Sequence, residues 1–153
     1  MSYVNSVLQP GETVKAVGKL HWIVFVRGLL LGAVAIVILS YARRVGPDTA
    51  DILRIVGGLV ALAGVAAWVH SWFERWITEL SVTNHRVIYK RGFIRRHTVE
   101  MNMDKVETVN VDQSILGRLL GFGTIHVLGT GQGIESLARI ASPLQLRNAI
   151  TAR

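Results

Sequence analysis

The chain of 153 residues contains no cysteine, a lack that excludes disulfide bonds, thiolate metal sites and cysteine nucleophiles. Charged residues are also few, at 18% of the chain, and 17 Lys and Arg outnumber 10 Asp and Glu. Residues 1–20 lack an apolar segment, so we expect no cleavable signal peptide. Hydrophobic residues, in contrast, make up 50% of the chain, and they are concentrated in two runs near the N-terminus.

Two apolar runs, residues 21–42 and 55–73, are the strongest signal in the sequence. As α-helices they would extend about 33 Å and about 28 Å, enough to cross the hydrocarbon core of a bilayer. Neither run has the polar stripe that a surface helix of a soluble domain shows. A domain of this size cannot surround two such helices with protein, which argues against buried core helices. We therefore predict a cell-membrane protein with two transmembrane spans.

The connection between the two runs, residues 43–54, contains Gly46 and Pro47 and predicts a tight helical hairpin with both tails on one side of the membrane. Near the membrane the tails carry six basic residues, Lys15, Lys19, Arg75, Arg86, Lys90 and Arg91, whereas the connection carries three, Arg43, Arg44 and Arg54. The positive-inside rule then predicts that both termini are cytoplasmic. Gly57, Gly58 and Gly64 give the second span a small-residue face for close packing.

Arg27 is the single charged residue of the first span and lies one to two turns inside it. An intramembrane charge is a candidate functional residue, because it is costly to bury. A long side chain near a helix end can instead extend to the lipid head groups without any further role. The sequence leaves both interpretations open.

After the second run, short segments rich in β-branched residues alternate with turn signals, a pattern that predicts a mostly β domain. Six strands are predicted after the hairpin, at residues 76–82, 85–91, 93–101, 105–111, 124–128 and 134–140, and residues 12–20 form a seventh before it. The phase of Val106 and Val109 indicates a bulge or a twist. We expect a short helix, capped by Asp112 or Ser114, and a last helix that begins at Pro143.

These patterns divide the chain into three parts. Residues 1–20 are predicted to be a cytoplasmic strand that joins the β domain. Residues 21–73 are predicted to form the transmembrane hairpin, and residues 74–153 the cytoplasmic domain. The predicted fold class is a membrane α-helical hairpin plus a mostly β domain.

Residues 84–98, the basic hairpin, form the most basic segment of the predicted domain and contain no acid. The candidate binding residues in this segment are Arg86, Lys90, Arg91, Arg95 and Arg96. The sequence leaves three roles open for these residues. They form a solvated face, they contact anionic head groups nonspecifically, or they form a specific pocket for a lipid or a phosphoprotein. Each basic group near an anionic membrane surface adds about 1 kcal/mol of attraction. Arg118, on the short helix, is either an ion-pair partner of Glu107 or Asp112 or a further contact residue.

The residue pattern predicts no catalytic residue, cofactor or metal site. The five histidines have no metal-ligand spacing, and no H-E-x-x-H motif occurs. The glycine-rich residues 129–133 lack the G-K-[ST] of a phosphate-binding loop and are explained by a hairpin turn. A net charge of +7 favours an anionic neighbour, either phospholipid or nucleic acid. Because the basic residues lack an interleaved aromatic platform, we expect membrane lipids and no nucleic acid.

Five stretches of the chain follow a pattern that is known from other proteins. They are PGE at residues 10–12, HW at 21–22, TNHRVIYKRGFIRR at 83–96, VDQSILGRLLGFGTIHVLGTG at 111–131, and PLQLRNAI at 143–150. In these stretches the chain resembles the bacterial pleckstrin-homology-like (PH-like) family of membrane proteins, also called the membrane-flanked domain. The resemblance implies two nearly orthogonal antiparallel sheets that form a seven-stranded, partly open barrel with a C-terminal capping helix.

Fold alone does not decide function, since PH-like folds bind phosphoinositides, bind peptides or act as scaffolds. We expect a non-catalytic, membrane-anchored PH-like binding or assembly module at the bacterial cytoplasmic membrane, whose partner is another protein or a second copy. One alternative is recognition of anionic lipid head groups through the basic hairpin. Another is an accessory subunit of a membrane transporter or envelope enzyme, with the transmembrane hairpin as the interface.

Overall fold

The computed structural model of the chain describes residues 8–92, 97–129 and 134–151. Two compact units emerge from its internal contacts. One unit, the helical unit, is Trp22–Glu74, and the other, the β unit, consists of the segments on either side of it.

The helical unit consists of two long helical segments joined by a short connection. A 3₁₀ turn, Trp22–Phe25, leads into helix α1, Val26–Ala42, and helix α2 is Pro47–Ile77. The stretches Trp22–Ala42 and Pro47–Ile77 are both long and apolar enough to cross a membrane. Most of their large apolar side chains are exposed.

Helix α2 is longer than the predicted span of residues 55–73. It begins at Pro47, because proline is tolerated at the first helical position and the carboxylate of Asp48 favours the positive end of the helix dipole. The predicted connection of residues 43–54 is therefore too long, and Arg54 lies on the helix, paired with Asp51. At its other end α2 continues through Trp76, so the prediction of a strand from residue 76 is wrong there.

Glycines allow α1 and α2 to approach closely. A Cβ added to Gly64 would lie 3.1 Å from the backbone nitrogen of Gly32 and 3.3 Å from the backbone oxygen of Gly28. The hydroxyl of Ser71 donates a hydrogen bond to the carbonyl oxygen of Val24 at 2.9 Å. Small residues at helix–helix contacts are typical of membrane helices, whose association depends on close packing.

Replacing Gly64 by leucine is expected to weaken the packing of the hairpin by about 1–3 kcal/mol, because two of the three nearest atoms belong to the backbone of α1 and cannot move aside. The measurement is unfolding of the full chain in mixed micelles of a mild detergent and sodium dodecyl sulfate, followed by tryptophan fluorescence. Trp68 reports on the contact, since its ring lies 5.8 Å from that of Phe25.

Gly58 provides the matched control on the same helix. No atom lies within 4 Å of the position that its Cβ would occupy. Gly58→Leu should therefore change the unfolding free energy by no more than about 0.5 kcal/mol. Similar losses in the two variants would contradict the packing of α1 against α2 through Gly64.

The described residues of the β unit form seven antiparallel strands in two sheets. The first sheet has the order β1-β2-β3-β4, with β1 Val14–Gly18, β2 Glu79–Thr83, β3 Arg86–Arg91 and β4 His97–Asn102. The second sheet consists of β5 Val106–Asp112, β6 Phe122–Gly129 and β7 Ile134–Ala141. Helix α3, Ile115–Leu120, connects β5 to β6, and helix α4, Pro143–Thr151, follows β7.

Both sheets and α4 contribute to one hydrophobic core. Its buried side chains include Leu80, Val82, Val87 and Tyr89 of the first sheet, Ile125, Val127, Leu137 and Ile140 of the second, and Leu146 and Ile150 of α4. Leu80 and Val82 alternate with residues of the opposite face, as the period of a strand requires. The strand register also shifts between Val106 and Thr108, which confirms the predicted irregularity in β5.

The architecture agrees with the fold that the resemblance implied. Seven antiparallel strands in two sheets and the C-terminal helix are present. Within the described ranges, Leu20, just after β1, makes an isolated antiparallel bridge to Ile140 of β7, but the named strands of the two sheets do not pair, so the barrel is only partly closed.

Candidate binding surface

The basic hairpin forms as β3 and β4, paired from Arg86 opposite Asn102 to Arg91 opposite His97. Gly92 follows β3 with a φ of 100°, a left-handed conformation that glycine adopts without strain. Lys90, half-buried at the end of β3, lies opposite Glu79 of β2 and Thr98 of β4. Two of the predicted binding residues, Arg95 and Arg96, lie outside the described residues, as do residues 130–133 of the glycine-rich turn.

Arg86 stands at the other end of β3 and is held between two carboxylates. Its Nε and Nη2 atoms each donate to an oxygen of Glu12 at 2.9 Å, a two-point ion pair. Its Nη1 atom donates to Glu100 at 2.7 Å. The side chains of Arg86 and Glu12 are 12% and 1% exposed, so the charge of Arg86 is balanced inside the β unit.

Further hydrogen bonds hold Glu12 in its charged form. The Thr83 hydroxyl donates to one carboxylate oxygen at 2.7 Å, and the backbone N–H of Gln9 donates to the other at 2.9 Å. The hydrogen bond from Arg86 is the largest cause that lowers the pKa of Glu12, from 4.5 to about 2, and burial opposes it. The same ion pair raises the pKa of Arg86. The arrangement fastens the segment before β1 to the turn between β2 and β3.

Helix α3 is held in place by polar and glycine residues of the stretch at residues 111–131. The Ser114 hydroxyl accepts a hydrogen bond from the Gly117 N–H at 3.0 Å, which confirms Ser114 as the cap. The Gln113 side chain donates to the Phe122 carbonyl at 3.0 Å. A Cβ on Gly117 would lie 2.6 Å from that same carbonyl oxygen, and Gly121 ends the helix with a φ of 76°.

The apolar side chains of α3 face away from the core. Ile115, Leu116 and Leu119 are 88%, 64% and 79% exposed, and Leu120 is also exposed. A short helix that is held in place by its caps therefore presents a row of large apolar groups on its outer side. Isolated exposed apolar side chains are common, but a contiguous group of them marks a contact surface. We call Ile115, Leu116 and Leu119 the α3 ridge.

A cavity of about 540 Å³ lies beside this ridge, between α3 and α4. Its lining includes Gln113 and Arg118 from one side and Gln145 and Arg147 from the other. None of the described residues that line it carries a carboxylate. Arg147, which no pattern in the sequence marked, therefore joins Arg118 at one cationic site.

The ion pairs considered for Arg118 do not form among the described residues. The carboxylate of Asp112 lies instead 3.2 Å from Nε2 of His126. Arg27 lies in the first turn of α1, with an exposed side chain. Where the structure describes the chain, no group of three or more His, Asp or Glu side chains is arranged to hold a metal ion.

Comparison with known proteins gives one family. The sequence profile of the family described as bacterial PH domain matches residues 19–153. No curated protein and no solved structure matches the chain.

Proposed function

Because the chain belongs to the bacterial PH domain family, we propose that it is a non-catalytic binding or assembly module, anchored in the bacterial cytoplasmic membrane by its helical unit. PH-like domains serve generally as modules that bind lipids or proteins. The partner we propose is another protein or a second copy of this chain. Membrane lipids surround the helices in this proposal.

The observation that supports anchoring is the exposure of apolar side chains on both long helices. More than half of the surface is exposed for each of four large side chains, Leu30 and Val37 of α1 and Leu59 and Leu62 of α2. Packing within the helical unit therefore leaves them uncovered. Exposing so many apolar side chains to water is unfavourable in free energy, whereas exposing them to the hydrocarbon layer of a membrane is favourable. Only Thr78 separates α2 from β2, so the β unit is tethered directly to the second helix.

Cysteine labelling tests the anchoring and its orientation, since the chain has no cysteine of its own. Gly46→Cys places a thiol in the connection between α1 and α2, and Ser136→Cys places one on an exposed position of β7. With a membrane-impermeant maleimide on spheroplasts, the thiol at position 46 should react, and the thiol at position 136 only after permeabilisation. Release of the chain from membranes by alkaline carbonate would contradict anchoring, and the reverse labelling would contradict the orientation.

Photo-crosslinking in cells tests for a partner. A photoreactive amino acid at Ser136 samples the β unit, and one at Leu62 samples the helical unit. A protein adduct from position 136 supports a binding module. Adducts from position 62 alone would favour an accessory subunit of a transporter or envelope enzyme, in which the hairpin is the interface. No protein adduct from any position, or turnover of a substrate by the purified chain, would refute the proposal.

Lipid recognition by the basic hairpin is a second candidate function, supported by the position of Lys90 and Arg91 at the end of β3, next to the turn. Replacing Arg95 and Arg96 by glutamine should weaken contact with anionic head groups by about 1 kcal/mol per charge. Labelling of the full chain by a photoreactive phosphatidylglycerol measures this contact. Lys105→Gln, an exposed base outside the hairpin, is the control, and equal losses in the two variants would exclude the hairpin as the lipid site.

A further inference from the structure

The α3 ridge is exposed by construction and not by fraying of a loose helix. The Ser114 hydroxyl caps the first turn of α3 at the Gly117 N–H, and the side chain of Gln113, just before the helix, donates to the carbonyl of Phe122, just after it. Three of the six residues of α3 form the ridge and expose large apolar side chains. The buried residue of the helix is Gly117, which has no side chain. Such an arrangement resists collapse of the ridge onto the core, so the apolar groups remain available to something outside the β unit.

The ridge lies at the place where the chain leaves the β unit for its first apolar helix. The ring of His21 stacks on Phe122, directly after α3, with a centroid separation of 5.4 Å. The His21 side chain also makes a hydrogen bond to the backbone of Leu120. Trp22, the next residue of the chain, begins the first stretch that is apolar enough to span a membrane. The end of α3 is therefore in contact with His21, the residue that directly precedes this apolar stretch.

The charge beside the ridge has one sign. Arg118 projects from α3 itself, and Arg147 lies across the cavity, which also contains the side-chain amides of Gln113 and Gln145. Guanidinium and amide N–H groups are the donors that phosphate oxygens accept. The ridge and the cavity together thus offer an apolar insert beside a phosphate-binding site, the combination that an interfacial membrane contact requires.

We propose that the α3 ridge inserts into the interface of an anionic bilayer, with Arg118 and Arg147 binding the phosphate of a phospholipid head group in the adjoining cavity. The occupant is an anionic phospholipid and not a second copy of the chain. A copy would bring a net charge of +7 to an arginine-lined face, whereas the lipid brings the opposite charge. The inference rests on the anchoring proposed above, and it assigns the lipid to a surface other than the basic hairpin.

The test uses the full chain in vesicles of phosphatidylcholine, alone or mixed with phosphatidylglycerol. Leu119→Cys, labelled with an environment-sensitive fluorophore, reports on the ridge, and Ser136→Cys with the same label is the control on β7. A quencher carried on lipid chains should quench the label at position 119 in the anionic vesicles several times more than the label at position 136. Flotation of the vesicles shows in the same samples whether the chain is anchored.

Charge variants test the role of the cavity. Replacing Arg118 and Arg147 by glutamine should lower the docking equilibrium of the ridge about fivefold for each charge, because one basic group near an anionic surface is worth about 1 kcal/mol. Replacing both by lysine keeps the charge and should restore most of the quenching. Equal quenching in neutral and anionic vesicles would overturn the assignment to an anionic lipid.

Two other results would also overturn the inference. An anchored chain whose label at position 119 is not quenched by lipid would refute it and leave the proposed function intact. Disulfide formation between the thiols at position 119 of two copies, together with shielding from lipid, would show that the ridge is an interface between copies. A chain that does not float with the vesicles would refute the anchoring and with it the inference.

Discussion

Replacing Glu12 by alanine is expected to lower the free energy of unfolding of the β unit by about 3–5 kcal/mol, because the variant leaves the buried charge of Arg86 without its two-point partner. The N–H of Gln9 would lose its acceptor at the same time, whereas the Thr83 hydroxyl would still have the carbonyl oxygen of Arg86 at 2.9 Å. The measurement is hydrogen exchange of the backbone amides of β2 and β3 in the full chain in detergent micelles, which reports the free energy of opening.

The exposed pair between Asp51 and Arg54 is the matched control. Its N–O distance is 2.7 Å, shorter than the 2.9 Å of the buried pair, but its side chains are 70% and 61% exposed. Solvent screens such a pair, so Asp51→Ala should cost no more than about 1 kcal/mol, measured by exchange of the amides of α2. If Glu12→Ala lowers the free energy of opening no more than Asp51→Ala does, the buried ion pair does not stabilise the β unit.

Acid is expected to remove about 3 kcal/mol of the stability of the β unit through Glu12 alone. The pKa of Glu12 is about 2 in the folded chain, against 4.5 for an unperturbed glutamate, and one pH unit corresponds to about 1.4 kcal/mol. Because the folded pKa is the lower one, the stabilisation is complete above about pH 4.5 and is lost as the pH falls towards 2. Urea unfolding of the full chain in detergent, repeated across this range, measures the loss.

Glu12→Gln separates this effect from the titration of other carboxylates. Glutamine cannot titrate, so the variant should start less stable at neutral pH and lose about 3 kcal/mol less than the parent on acidification. If the free energy of unfolding falls by the same amount in both chains as the pH is lowered, Glu12 is not the cause of the acid sensitivity.

Much of the fold could be predicted from the sequence, because its signals are local. Strand alternation and glycine turns predicted all seven strands, and Pro143 predicted the start of α4. The limits of α2 were predicted less well. Trp76 and Ile77 favour strands as readily as helices, and a proline at position 47 ends a connection as readily as it begins a helix.

The candidate surface depends on contacts that a linear pattern does not contain. Arg86 belongs to the basic hairpin by sequence, yet its partners, Glu12 and Glu100, reach it only through strand pairing. Arg147 was missed because α4 must fold back beside α3 before the two arginines face one cavity. The capping residues before α3 predicted a helix, but not that its apolar side chains would lie outside the core.

The placement of the helical unit between β1 and β2 fixes an order of events during synthesis. β1 leaves the ribosome first, and Gly18 must wait for Leu80, its partner, until both apolar helices have been made. Ala141, whose N–H donates to the carbonyl of Lys19, arrives later still. The β unit therefore cannot close co-translationally from its N-terminus. Both apolar helices are therefore synthesised before the domain can be completed, and β1 remains an unpaired strand in the meantime.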